Sequence, residues 1–508
     1  MGAMSEKTLP SARFLFNLIA IAMLIVCISS MFLYHSPVNP IIPTSVFNLI
    51  VVNRPDSDVE SMDSLALHET VSLVDDEIKV KETLMGSDQI AGAKDVANDM
   101  ALVMVDRHTD RLDTAVSVNV KKNGCNPRQV VLRVYMYDLP PEFHFGLVGW
   151  KGGTNQIWPD VSKTGQIPSY PGGLNLQHSV EYWLTLDLLS SNVGEVVRPC
   201  SAVRVANPSQ ADVIFVPFFA SLSYNRHSTK VGEKNTSSVN SMLQSRLVEF
   251  LMSRREWRRS KGKDHVLVAH HPNSMLYARK KLGAAIFVLA DFGRYPPKLA
   301  NLRKDVIAPY KHVVRSVSAN SSAPFEQRPI LAYFQGAIYR KDGGAVRQEL
   351  FYLLKDEKDV QFKFGSVQRK GIREASQGMA ASKFCMNIAG DTPSSNRLFD
   401  SIVSHCVPVI ISDEIELPFE EVLDYSKFCI FVRASDATKP GFLLNLLRGI
   451  KKDEWTTMWD RLKEVAHYFE YQYPSQPEDA VDMIWHAIAR KFSTVKAQAR
   501  KRRYRVPK

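Results

Sequence analysis

Residues 383–413 read KFCMNIAGDTPSSNRLFDSIVSHCVPVIISD. Lys383–Ile388 and Pro408–Ser412 are apolar runs of strand length, and Asn396–His405 between them has helical apolar spacing. A strand, a helix and a second strand at this spacing imply a βαβ unit with parallel strands. Gly390 and Asp391 make the turn, and Pro393, Ser394 and Ser395 stand where the helix begins. Serine hydroxyls cap there, and the first-turn N–H groups face outward at the positive end of the helix dipole. That arrangement suits a diphosphate. Arg397 adds a forked cation to the same anion. Asp400 shares a helix face with Arg397 and is placed to accept hydrogen bonds from ribose hydroxyls. By composition alone, the same residues also fit a capped core helix with a surface Arg–Asp pair.

The same alternation extends outward from this unit. Upstream, Val131–Tyr137, Val213–Pro217, Val266–Ala269 and Ala285–Leu289 read as strands, with helical stretches near Ser179–Leu189 and 239–254. Residues 149–175, rich in Gly, Pro and Trp, read as loop. A break rich in Ser, Ala and Pro at 316–329 separates these from Ile330–Phe334, a helix near 345–355, Val360–Phe364 and the quoted unit, and 441–489 reads as helical. The pattern predicts two α/β domains with mostly parallel sheets, 124–320 and 321–489, with ligands bound beyond the carboxyl ends of the strands in the cleft between them.

The chain has 508 residues, 45% hydrophobic and 23% charged, which excludes wholesale disorder, collagen and a disulfide mini-protein. Its formal net charge of +11 is unevenly spread. Residues 1–13 are a short, slightly basic segment, and Phe14–Tyr34 is free of formal charge and just long enough to span a bilayer as a helix. Lys7 and Arg13 precede that run and no basic residue follows before Arg54, so the expectation is an uncleaved type II anchor with the rest of the chain lumenal. Residues 35–123, with 15 acidic and 8 basic residues, read as a disordered stem. Residues 490–508 carry nine basic residues and no acid, a basic tail whose company in a lumen is anionic polysaccharide or a partner's acidic surface, not nucleic acid. Asn235-Thr236-Ser237 and Asn320-Ser321-Ser322 become glycosylation acceptors on that topology. The five cysteines beyond the anchor sit in an oxidising compartment, and their odd number leaves at least one unpaired.

Several spaced blocks carry a family resemblance. AGDTPSSNRLFDSIVSHCVPVIISDEIELPFEEVLDY (389–425) resembles the C-terminal signature of plant exostosin-type glycosyltransferases, family 47. VYMYDLPPEFHFGL (134–147), PSQADVIFVPFFASLSY (208–224), KDHVLVAHHPNS (263–274), ADFGRYPP (290–297), KDVIAPY (304–310) and FQGAIYRKDGGAVRQEL (334–350) agree with it. The resemblance is nearest to the pectic arabinan arabinosyltransferase group. It implies a GT-B fold, two Rossmann-like domains facing a cleft, after an N-terminal transmembrane helix and stem, in a type II Golgi membrane protein. It also implies inverting transfer of a sugar from a UDP-sugar substrate to a cell-wall polysaccharide; no metal or other cofactor is expected, and a homodimer or a heterodimer with a related transferase is eligible. Ser394, Ser395 and Arg397 would grip the diphosphate, Asp400 would hold the ribose, and Arg340 would contact the nucleotide. Cys385 and Cys406 match a family disulfide. Cys125 with Cys200 is a second pair, which leaves Cys429 over and buried.

An inverting transfer needs a base for the acceptor hydroxyl and charge stabilisation on the leaving diphosphate, at an oxocarbenium-like transition state. Asp138, His270, His271 and Asp291 all follow apolar runs of the first domain. His271 is the first choice, though His270 and His271 also fit structural hydrogen bonding before Pro272, and Asp138 also fits closure of a turn. Trp150 and Trp158 stack on acceptor sugars or pin their loop to the core. Glu181 binds acceptor or is a surface charge. An Asp-x-Asp pair, Asp56-Ser57-Asp58, falls in the stem far from any predicted strand, so no metal site is expected. Sequence leaves open xylosyl-, galactosyl- and glucuronosyltransferase activity, and a non-catalytic Golgi subunit that keeps the fold.

Overall fold

The structure is a computed structural model that describes residues 129–228, 238–293, 296–339, 344–365 and 369–504. The expected anchor 14–34, the stem with Asp56 and Asp58, Cys125, Asn235 and Arg340 lie outside these residues. Among the described residues no helix is long and apolar enough to cross a membrane.

Short runs such as VIFV and IFVL are hydrophobic throughout, as strands covered on both faces must be. They build a first sheet of six strands: β1 (Leu132–Met136), β2 (Ala202–Arg204), β3 (Val213–Val216), β4 (His265–Val268), β5 (Ile286–Leu289) and β6 (Val306–Ile307). All pair in parallel, in the order β2-β1-β3-β4-β5-β6. The connecting helices are α1 (Val180–Ser190), α2 (Ala220–His227), α3 (Val239–Ser253), α4 (Arg255–Ser260) and α5 (Leu276–Leu282). Every residue of α1 is buried, so it is a core helix, not an amphipathic cover.

The second sheet holds β7 (Ile330–Gly336), β8 (Val360–Phe364), β9 (Ser382–Ile388), β10 (Val407–Ile411) and β11 (Ile430–Val432), parallel in the order β11-β10-β9-β7-β8. Its helices are α6 (Ala345–Leu354), α7 (Arg369–Ala380) and α8 (Asn396–Val403), followed by α9 (Ala434–Ala437), α10 (Phe442–Gly449), α11 (Lys452–Val465) and α12 (Ala480–Tyr504). In each sheet the first strand lies inside, flanked on opposite sides by the second and third. The strand order therefore reverses between β1 and β3 and again between β7 and β9, and ligands of doubly wound sheets bind at such crevices. In the first sheet that crevice is filled by rings, including the Phe143–Phe218 and Phe145–Phe219 pairs at 5.8 and 5.3 Å. In the second it is open.

The sequence pattern groups 480–489 with the second domain; α12 bridges the halves, packing on β5, β6 and α1 of the first and on residues 466–469 of the second. Trp485 is fully buried there, with Nε1 donating to Asp187 Oδ2 at 2.9 Å. The basic segment from 490 is helical as far as Tyr504, because α12 continues through it. Lys491 reaches Glu421 Oε1 at 2.9 Å, and Phe492 packs against the core.

A candidate sugar-nucleotide cleft

α8 begins where Ser395 turns the chain, its side chain accepting from the Arg397 N–H. The helix N-terminus stands beyond β9 and beside the end of β7, at the open crevice. Arg397 Nε donates to Gln335 O at 2.6 Å and Nη1 to Ser395 Oγ at 2.8 Å. Gln335 is itself held, with Nε2 donating to Gly371 O at 2.9 Å. At Gly336 a Cβ would fall 2.4 Å from Arg397 Nε, so only glycine lets β7 run this close to the guanidinium. Arg347, almost fully buried on α6, is a residue that sequence reasoning does not single out. It donates to Ile388 O, Ala389 O and Ala337 O and so ties the end of β9 to that of β7. Only its helical spacing after Gly336 is visible in the sequence, and that does not mark a buried arginine.

A cleft of about 420 Å³ opens in front of these groups. Ser394, Ser395, Arg397 and Asp400 line it from the second half, and His178, His271, Asn273 and Tyr310 from the first. The sequence-predicted residues of the α8 turn are thus brought together, opposite His271. Two of them have duties other than those expected. Ser394 Oγ donates to Asp291 Oδ2 at 2.5 Å and lies 3.0 Å from Tyr310 Oη, so its hydroxyl hydrogen is spent on a bond between the halves. Asp400 is buried, with Oδ1 accepting from the Val313 N–H at 2.7 Å and from Val314 at 3.3 Å, and Oδ2 accepting from Asn396 at 2.8 Å. Burial raises its carboxyl to about 6 against those hydrogen bonds. It clamps the linker between the sheets, and both its oxygens are engaged before any ribose arrives.

His271 is in the cleft, but its ring is wired as a donor. Nδ1 accepts from the Asn273 N–H at 3.1 Å, and burial lowers the ring's pKa to about 4, so the neutral ring carries its proton on Nε2. A base needs a lone pair facing its substrate, and this tautomer does not present one at Nε2. The rings of His178 and Tyr224 flank it at 4.7 and 4.6 Å.

The remaining candidates lie outside the lining of the cleft. Asp138 accepts on Oδ1 from Trp158 Nε1 at 2.7 Å and Arg204 Nη2 at 2.6 Å, which holds it as a turn anchor. Trp158 stacks on His144 at 4.2 Å, and Trp150 meets Phe145 edge-on at 6.4 Å, so both pin the Gly-rich loop to the core. Glu181 is neither a surface charge nor in the cleft. It is fully buried and accepts from the Ser221 N–H at 3.1 Å, at the start of α2. Asn320 is exposed. Cys385 and Cys406 form a disulfide, Cys200 is also disulfide-bonded, and Cys429 is free and buried.

Residues 128–447 match the Exostosin GT47 domain. The chain is 41% identical over 384 residues to the probable arabinosyltransferase ARAD1 of Arabidopsis thaliana, covering 75% of this chain and 83% of that protein. It is 28% identical over 390 residues to a probable glucuronoxylan glucuronosyltransferase of the same plant, covering 70% and 72%. Among solved structures, MurG of Acinetobacter baumannii is similar at 10% identity and TM-score 0.29, over 63% of this chain and 98% of that one; the fold assignment rests on strand order instead.

Proposed function

Because the chain belongs to the exostosin GT47 family of glycosyltransferases, we propose that it moves an arabinosyl residue, with inversion, from a UDP-sugar to a cell-wall polysaccharide such as pectic arabinan. The observation that carries the reading is the α8 N-terminus with Arg397 at the open crevice of the second sheet, facing first-half histidines across one cleft. Backbone N–H groups of the first helical turn and the Arg397 fork take the diphosphate. As the glycosidic bond to the donor breaks, negative charge grows on that diphosphate, and fixed dipoles already aimed at it lower the barrier. Arginine held by Gln335 O and Ser395 needs no reorganisation at that moment. Arg340 stays in this proposal as a nucleotide contact, although it lies outside the described residues.

The arabinosyl donor rests on the ARAD1 similarity, and the lower similarity to the glucuronoxylan glucuronosyltransferase keeps a glucuronosyl donor as the next reading. The Golgi membrane and type II topology rest on the charge-free run 14–34 and the basic residues before it. Full-length protein in detergent, incubated with a panel of UDP-sugars and wall oligosaccharides with and without EDTA, tests these points. The expected product is an arabinosylated oligosaccharide formed equally with EDTA. Transfer of another sugar overturns the donor, and loss of product with EDTA overturns metal-free chemistry. No product with any donor supports a non-catalytic subunit.

A further inference from the structure

His178 is not among the candidates that the sequence suggests. It ends a short 3₁₀ turn, Gly173–His178, and its buried ring lines the cleft beside His271. Its wiring follows from a chain of three groups. His270 Nε2 lies 3.1 Å from Ala308 O, and a carbonyl only accepts, so that nitrogen carries the proton. In the neutral ring His270 Nδ1 is then an acceptor. His178 Nδ1 lies 2.9 Å from it and must be the donor. His178 therefore carries its proton on Nδ1 and a lone pair on Nε2, and among the described residues no hydrogen bond uses that lone pair. Burial lowers both rings, His270 to about 3, so both are neutral at ordinary pH.

Resting on the transferase reading above, we propose that His178 Nε2 is the general base that takes the acceptor's hydroxyl proton, with His270 as the positioning residue that fixes its tautomer. The acceptor oxygen attacks the anomeric carbon opposite the diphosphate. The carbon–oxygen bond to the diphosphate breaks and its electron pair leaves with the phosphate oxygen. The hydroxyl proton passes to His178 Nε2. The imidazolium so formed still donates through Nδ1 to His270, whose own Nε2–H rests on Ala308 O, so the new charge is spread along an existing hydrogen-bonded chain. His271, with its proton on Nε2, serves as a donor in the same space. The acceptor proton moves only as the new bond forms, so a weakly basic ring suffices, at the cost of driving force.

The test uses the full chain in detergent with a saturating UDP-sugar. In His178→Gln, kcat falls by about 10²–10⁴-fold while the Kd for UDP stays within about threefold of wild type. The wild-type kcat/KM falls on the acid side below the ordinary histidine range, and His178→Gln lacks that limb. The groups able to shift the limb are His270, His271, Tyr310, Tyr224 and Lys311, which surround the ring or its loop. A His178→Gln enzyme within about tenfold of wild-type kcat, or one with an unchanged acid limb, overturns the assignment. If His178→Gln loses UDP binding through misfolding, His270→Gln decides: a displaced acid limb supports the proposal and an unmoved one sinks it. A wild-type protein that neither binds UDP nor turns over any UDP-sugar sinks the transferase reading and this proposal together. That result is distinct from an active wild type beside an equally active variant.

Discussion

Glu181 shows what burial does to one side chain. Its carboxyl is fully enclosed on α1, and desolvation pushes it up to about 8, partly offset by hydrogen bonds from Ser221. Between its unfolded value and about 8 the folded state holds a proton that the unfolded chain has released. Stability from this residue is therefore lost as pH rises through that window. Glu181→Gln keeps an acceptor for the Ser221 N–H and removes the titration. Its stability in denaturant melts should match wild type near pH 5 and exceed it by at least ~1 kcal/mol near pH 8.5. A constant gap across pH would mean the carboxyl is ionised in the fold. His270 and His271 act with the opposite sign, since their depressed values make the unfolded state the stronger proton binder in mild acid, so their contribution is lost as pH falls below the unfolded histidine value. In the cleft, Arg397→Ala removes the fork without disturbing the Asp400 clamp. Turnover should drop by at least ~10²-fold with a raised donor KM. Unchanged product formation would remove Arg397 from the transferase reading.

The β9–α8–β10 unit is legible in the sequence because each of its parts has a local signal: apolar strands, a Pro-Ser-Ser start and helical spacing. Strands β2, β6 and β11 are not, having three, two and three residues, too short for any period to register. Helix α7 escapes such a reading because RKGIREASQGMA holds two glycines and few apolar residues. Gly378 there is a packing requirement, since a Cβ would lie 2.1 Å from the Tyr333 ring. The turn residues of the cleft are readable from sequence, whereas the partners that decide their roles are not. Asp291 is 103 residues from Ser394 and Val313 is 87 from Asp400, and no spacing rule reaches that far. The Cys385–Cys406 bridge, expected only through family resemblance, ties β9 to the junction of α8 and β10. A loop of 21 residues makes it worth about 3 kcal/mol, so the double alanine variant should unfold at lower denaturant by that amount. Gly336→Ala should leave the fold and weaken UDP binding, because the new methyl displaces Arg397 from Gln335 O. Titration calorimetry of UDP reads this directly, and an unchanged Kd would mean that Arg397 does not touch the diphosphate.

At the scale of the whole molecule, two of the links between the sheets among the described residues should fail differently. One lies at the cleft, where Ser394 donates to Asp291 and Asp400 holds the N–H groups of Val313 and Val314. The other is α12, which leaves the second half, reaches Glu421 through Lys491, and buries Trp485 against Phe215 of the first sheet at 5.8 Å. Trp485 Nε1 also donates to Asp187, whose carboxylate is paired with Arg198. Trp485→Ala deletes the largest buried side chain of that contact and should cost about 3–5 kcal/mol. Trp485→Phe keeps most of the packing but withdraws one donor from Asp187, and should cost about 1–3 kcal/mol. Both variants should bind UDP with wild-type affinity at temperatures where they stay folded, because the cleft is held by its own hydrogen bonds. Urea melts paired with UDP titrations check this. If UDP affinity falls in step with stability across the two variants, α12 is setting the spacing of the sheets, and the hydrogen bonds at the cleft follow that spacing rather than fixing it.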